Sequence, residues 1–145
     1  MATTWTLTLD CQNARAQAAF WMGAIGYVAA PAPEGFDTWE AWLRHFGVPE
    51  AEWDDGAALI DPDGLGPQLS FLNVPEPKVA KNRLHLDVQA GGGRHTPPEV
   101  RIQRITAAVG RLVGLGATVI DEHHAHGHLD HVVLADPEGN EFCVV

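Results

Sequence analysis

Two side chains that can exchange protons or bind a metal stand two residues apart in the middle of the chain. One is His85, and histidine is a common proton donor and acceptor in enzymes; the other is Asp87, which can accept a hydrogen bond that orients the imidazole ring. Because side chains alternate between the faces of a strand, both lie on one face of the strand predicted here. The pair indicates an acid–base or metal-binding site. The alternative is a structural imidazole beside a carboxylate that pairs with Lys81 or Arg83.

Lys81 and Arg83 place positive charge immediately before this pair. Ammonium and guanidinium groups hold anionic groups well, so both residues are candidates for binding an anionic part of a ligand. The alternative is a rigid, solvated linker, since Pro75 and Pro77 restrict the chain just upstream.

Five histidines fall within the nine residues from His123 to His131. If the segment is a strand, alternation places three imidazoles on one side, which favours binding of a transition metal. Gly127 and the turn-like composition around it indicate a hairpin tip, where metal binding would be adventitious. Both interpretations stay open at this point.

The charge, length and cysteine content of the chain limit which molecules it can bind and where it can be located. The net charge of -10, from 9 Lys and Arg against 19 Asp and Glu, excludes nucleic acid and anionic membranes as expected partners. The 145 residues predict a single domain, and the two cysteines show no CxxC spacing, which fits a reducing compartment. With no export signal and no long apolar run, we expect a cytoplasmic protein.

Two short strings recur in the same order and at nearly the same separation. Residues 7–10 return as residues 84–87, and residues 61–64 return as residues 136–139. A helix that ends near a glycine stands between the strings in each half, and the Asp-Pro-x-Gly strings predict turns into the last strands. The sequence therefore predicts a first module over about 1–75, a linker at 76–81 and a second module over about 82–145.

Three segments carry a specific resemblance to a known family: residues 74–78, residues 81–87 and residues 136–143. Together with a helix over residues 13–27, they resemble the glyoxalase-like branch of the vicinal oxygen chelate superfamily, which includes bleomycin-resistance and dioxygenase-type domains. The resemblance implies an α+β fold in which two βαβββ modules form a paired, curled, eight-stranded mixed sheet around a cavity.

The resemblance also implies metal ligands on the first and last strands of each module. His85 matches the first-strand position of the second module, and Glu141 or Cys143 matches the last. The first module offers only Thr6 or Thr8, so the ligand set is incomplete. We expect His85 and Glu141 to hold any divalent metal (Zn, Ni, Mn or Fe), while the alternative for Cys143 is a small buried hydrophobe.

The hypothesis that follows is a protein that binds a small molecule in its cavity. If it is an enzyme, we expect a lyase or isomerase acting beside a carbonyl, or a dioxygenase-type enzyme, with His85 and Glu141 as catalytic residues. The alternative is a metal-free protein that sequesters an antibiotic-like ligand. A homodimer is left open. The expected ligand-binding residues are Thr6, Thr8, Asp10, Trp39, Lys81, Arg83 and Asp87, although Trp39 alternatively belongs to the core of an inserted aromatic helix.

Overall fold

The computed structural model describes residue 2, residues 4–93 and residues 95–145. The chain divides into two compact units. The first comprises Met1–Met22 and Gly26–Pro77, and the second comprises Gly23–Ile25 and Lys78–Val145. The boundary at residue 77 lies inside the segment that the sequence indicated as a linker. That the units act as one domain stays a prediction.

The first unit is built on a four-stranded mixed sheet. The sheet order is β1-β4-β3-β2, with β1 parallel to β4 and the other neighbours antiparallel. The elements in chain order are β1 (Leu7–Cys11), α1 (Ala14–Ile25), β2 (Val28–Ala29), α2 (Trp39–His45), a 3₁₀ turn (Glu50–Glu52), β3 (Gly56–Ile60) and β4 (Leu69–Asn73).

The second unit repeats this arrangement. Its sheet order is β5-β8-β7-β6, with β5 parallel to β8 and the other neighbours antiparallel. The elements are β5 (Asp87–Val88), α3 (Pro98–Gly114), β6 (Thr118–Ala125), β7 (His128–Ala135) and β8 (Glu141–Val144). The second unit thus reads βαβββ, and the first reads the same apart from α2 and the 3₁₀ turn inserted between β2 and β3. The predicted α+β class and repeated modules are confirmed.

Local sequence signals explain where these elements begin and end. The Asn13 side chain accepts the N–H of Ala16 at 2.9 Å and caps α1, while Gly26 ends that helix at φ 77°. In the second module's turn, one carboxylate oxygen of Asp136 accepts the N–H groups of Glu138 and Asn140, both at 2.9 Å. The Asp-Pro-x-Gly strings therefore form the two hairpin turns that the sequence predicts.

Each sheet buries one face. In the second unit the core includes Ile105 and Leu112 of α3 together with Leu134, Phe142 and Val144 of the sheet. Since successive strand residues face opposite sides, Cys143 and Asp87 lie on the other face, where the candidate site is found. None of the helices in the described part of the chain is both long and apolar enough to cross a bilayer.

Candidate metal centre

The site is positioned by the parallel pairing of β5 with β8. In this register Asp87 is opposite Cys143, so the two side chains share a face of the sheet. The predicted strand over residues 83–88 is wrong in its length, because regular pairing begins only at Asp87. Before Asp87, side-chain amides hold the segment to β8 instead.

Two asparagines replace the missing strand-to-strand bonds. The N–H of Arg83 donates to Asn140 Oδ1, and the N–H of Glu141 donates to Asn82 Oδ1, each at 2.7 Å. These bonds hold residues 82–86 beside the start of β8 without a regular ladder, so His85 precedes the strand and remains close to Asp87.

Three potential ligand atoms converge here. His85 Nε2 lies 3.5 Å from Asp87 Oδ1. One ligand atom each from His85, Asp87 and Cys143 lie within 4.8 Å of one another, and within the described ranges this is the one such group of three or more ligand-type residues. His85 and Asp87 are exposed, whereas Cys143 is 9% exposed. The donor set is an imidazole nitrogen, a carboxylate oxygen and a sulfur.

The surroundings of Cys143 are unfavourable for a free thiolate. Burial raises the pKa of its thiol above the ordinary value, and the negative charges of Asp87 and Glu141 raise it further, while Lys81 acts in the opposite direction. The thiol therefore stays protonated at neutral pH, which argues against an unaided nucleophile. A bound divalent cation would favour the deprotonated form.

Glu141, the predicted metal ligand, lies on the same face of β8 but outside the group of three. Its carboxylate forms an ion pair with Lys81, with Nζ 2.9 Å from Oε2. This ion pair is a structural role that Glu141 has in addition to any role at the site. Whether Glu141 also ligates a metal stays a prediction.

The predicted residues of the first unit lie on and beside β1. Thr8 and Asp10 of β1 are exposed and are paired in register with Ser70 and Leu72 of β4. Thr6 is exposed immediately before β1. Their assignment to a ligand cavity stays a prediction.

Trp39 begins the aromatic helix α2, which the spacing of aromatic residues predicted. Its indole N–H donates to Ala30 O at 2.8 Å, and its ring packs edge-on against Trp42 with centroids 5.7 Å apart. The side chain is 37% exposed. These contacts anchor α2 within the first unit, and a role of Trp39 in covering a ligand stays a prediction.

A cavity of about 370 Å³ in the second unit shares Asp87 and Cys143 with this group of three potential ligands. Its walls include six polar or ionisable side chains: Asp87, Gln89, Arg101, Asp130, His131 and Cys143. Sequence reasoning missed Arg101 and Asp130, because neither stands near His85 along the chain. His131 was noticed only as the end of the histidine cluster.

The histidine cluster forms a hairpin, as the alternative interpretation of the sequence predicted. Its turn consists of His126 and Gly127, with φ 51° and 79°. The rings of His123 and His131, which face each other across β6 and β7, stack with centroids 4.5 Å apart and planes 11° apart. Within the described residues, the cluster does not bring three ligand atoms as close together as the group at His85.

Comparison with known proteins supports the resemblance over the length of the chain. The sequence model of the glyoxalase-like domain matches residues 6–145. A search of curated proteins gave no significant match.

Solved structures with the same fold include the fosfomycin resistance protein FosX from Mesorhizobium loti, at TM-score 0.61 and 8% identity, covering 99% of this chain and 90% of that one. A glyoxalase/dioxygenase from Nostoc punctiforme matches at TM-score 0.56 and 17% identity, covering 98% and 88%. A mutant FosX from Listeria monocytogenes, complexed with Mn(II) and 1S,2S-dihydroxypropylphosphonic acid, matches at TM-score 0.55 and 9% identity, covering 99% and 89%. At these identities the likeness shows the fold alone.

Proposed function

Because this chain belongs to the glyoxalase-like domain family of the vicinal oxygen chelate superfamily, we propose that it binds a small molecule beside a divalent metal and acts as a lyase or isomerase next to a carbonyl. The observation that carries the proposal is the convergence of His85, Asp87 and Cys143 within 4.8 Å. Asp87 and Cys143 also line the 370 Å³ cavity, so a metal held by this group would meet a ligand bound there.

The donor chemistry fits a transition metal. Imidazole and thiolate suit Zn, Ni and Fe, and a carboxylate adds negative charge, whereas Mg and Ca prefer oxygen ligands alone. Three protein ligands are the usual number at a catalytic zinc site, where a further position is kept for water or substrate. When bound, the metal would polarise a ligand oxygen as a Lewis acid. The relative from Listeria monocytogenes was complexed with Mn(II), which supports metal binding by this fold.

Glu141 is the proposed proton acceptor. It lies two residues from Cys143 on the same face of β8, and Lys81 Nζ holds its carboxylate at 2.9 Å. In a proton transfer beside a carbonyl, the carboxylate would take the proton from the neighbouring carbon and return it to product. Lys81 and Arg83 would then favour ligands with an anionic group at this edge.

The metal proposal is tested by elemental analysis of untagged protein after mild chelation. We expect wild type to retain about one metal per chain, and His85→Ala or Cys143→Ala to lose it, because removing one of three ligands opens the site. His128→Ala, in the exposed hairpin, is the matched control and should keep the metal. Equal retention by His85→Ala and wild type would refute the site.

The role of Glu141 is tested by following exchange of solvent deuterium into the carbon beside the carbonyl of a compound that the protein turns over. Glu141→Gln should reduce the exchange rate by about 10²-fold or more, since it keeps the shape but removes the base. Glu122→Gln, on the exposed strand β6, should leave the rate unchanged. An unchanged exchange rate in Glu141→Gln would mean that another residue is the base.

A metal-free sequestering protein is the second candidate, and α2 provides the observation in its favour. No residue of this helix is buried, and the exposed rings of Trp39 and Phe46 flank Trp42. Such aromatic surface suits an aromatic ligand. Saturable quenching of tryptophan fluorescence by a compound recovered unchanged would support sequestration, whereas product formation would support catalysis.

Location and assembly also belong to the proposal. The net charge of -10 supports a small-molecule partner over nucleic acid or an anionic membrane. We place the protein in the cytoplasm and leave a homodimer as the assembly to test by sedimentation.

A further inference from the structure

One wall of the cavity contains a histidine that the proposed mechanism does not use. His131 lines the cavity, and its Nδ1 lies 2.9 Å from Asp130 Oδ2. Since an ionised carboxylate only accepts hydrogen bonds, Nδ1 carries the proton of the neutral ring and Nε2 carries the lone pair. In the part of the chain that the structure describes, no other residue hydrogen-bonds this imidazole.

Asp130 is itself held in place by helix α3. Arg101 Nη2 donates to the backbone oxygen of Asp130 at 3.0 Å, and Arg101 Nη1 lies 3.9 Å from Asp130 Oδ1. The side chains of Arg101 and Asp130 are only 14% and 15% exposed, so the carboxylate acts on His131 with little screening by water. The ring of His123 stacks on the ring of His131, with the two centroids 4.5 Å apart.

From this arrangement we propose that His131 is a proton-transfer residue of the cavity, that Asp130 positions it, and that Arg101 positions Asp130. An isomerisation beside a carbonyl needs a group that takes a proton from one atom of the ligand and a group, the same one or a second one, that gives a proton to another atom. Glu141 supplies a carboxylate for such a transfer, and His131 supplies an imidazole. The inference rests on the proposed function of the cavity but needs no metal at His85.

The chemical step is a proton transfer between the ligand and His131, which needs no oxidant or reductant. A C–H or O–H bond of the bound ligand breaks, its electron pair stays on the ligand, and the proton forms an N–H bond at His131 Nε2. The resulting imidazolium is stabilised by the Asp130 carboxylate, and the proton returns from Nε2 to the product. The ligand class is a small carbonyl compound with an acidic hydrogen on the carbon, or on a hydroxyl group, next to the carbonyl.

The test measures the reactivity of each histidine with diethyl pyrocarbonate at pH 8, followed peptide by peptide by mass spectrometry on the full chain. His131, at 29% side-chain exposure, should react faster than the exposed His124 and His128 of the same hairpin. Asp130→Asn should slow His131 by about threefold or more, because part of a charge-assisted hydrogen bond is lost, and Asp130→Glu should restore the rate. The rate at His128 should not change.

The comparison among histidines in wild type needs no variant, so it remains decisive if Asp130→Asn folds poorly. A His131 that reacts more slowly than His128, or at the same rate in Asp130→Asn, would overturn the inference. Added Zn²⁺ separates this result from the metal proposal. If Zn²⁺ slows the modification of His85 alone, the result supports both the metal site and the role of His131. If Zn²⁺ does not slow the modification of His85, only the metal site is refuted. If Zn²⁺ slows the modification of His131, that residue is a metal ligand and its proton-transfer role is overturned.

Discussion

At the scale of single residues, Asp61 and Asp136 begin turns of the same Asp-Pro-x-Gly pattern but lie in different surroundings. Asp136 is buried, whereas Asp61 lies nearer the surface and its carboxylate accepts the N–H groups of Asp63, Leu65 and Gly66. These backbone bonds lower the pKa of Asp61 below its ordinary value of 3.8, against a smaller opposing effect of desolvation. The protonation of Asp61 therefore makes the stability of the folded chain depend on pH.

We predict that Asp61→Asn makes the stability of the protein less dependent on acid. A carboxyl group whose pKa is lower in the folded than in the unfolded chain stabilises the fold fully above pH 3.8, and that contribution is lost as pH falls through the lowered value. Urea unfolding between pH 5 and about pH 2 should show a shallower fall in unfolding free energy for the variant. Asp63→Asn, two residues away, is the matched control, and an equal slope in Asp61→Asn and wild type would contradict the prediction.

At the scale of elements, the β6–β7 hairpin carries two consecutive residues with positive φ. His126 has φ 51° and Gly127 has φ 79°, which matches the two-residue turn whose twist suits a hairpin. The turn sets which residues of β7 face His123, and it therefore contributes to the placement of His131.

Gly127→Ala should destabilise the second unit by about 1 kcal/mol, because a side chain disfavours this left-handed conformation even where space is open around it. Gly110→Ala in the exposed middle of α3 should act in the opposite direction, by about 0.5–1 kcal/mol, since alanine favours a helix and no atom lies within 4 Å of the added carbon. Urea midpoints of the two variants against wild type provide the measurement. A stabilising Gly127→Ala would mean that the turn has another conformation.

At the scale of the whole molecule, the net charge of -10 creates a negative potential that attracts cations. Salt screens that potential, with a Debye length of about 10 Å at 0.1 M ionic strength. The charge of the molecule should therefore strengthen metal binding at low salt beyond what the local ligands provide.

We predict that the affinity for Zn²⁺ falls as sodium perchlorate is raised, and that the fall is smaller in a variant with both Glu50→Gln and Glu52→Gln. These residues belong to the exposed 3₁₀ turn of the first unit, so the variant reduces negative charge without changing a proposed ligand. Competition titration against a chromogenic chelator gives the affinities. If the affinity for Zn²⁺ falls with salt equally in wild type and the variant, the salt dependence comes from the charges at the site and not from the net charge of the molecule.

The sequence by itself determined the two modules, their turns and the helix ends. Those features depend on neighbouring residues: Asn13 caps the helix that follows it, and the Asp-Pro-x-Gly strings turn the chain where they stand. The sequence also identified His85 and Asp87 as a pair, because a separation of two residues keeps their side chains close even though the regular strand begins only at Asp87.

Only the tertiary structure decided which residues join that pair. The register of β5 against β8 places Cys143 beside Asp87, and the Lys81 ion pair engages Glu141. The packing of α3 beside β7 likewise brings Arg101 to Asp130, 29 residues away in the chain. A sequence pattern reports spacing within one element, whereas a site formed by several elements depends on pairing and packing between segments that are distant in sequence.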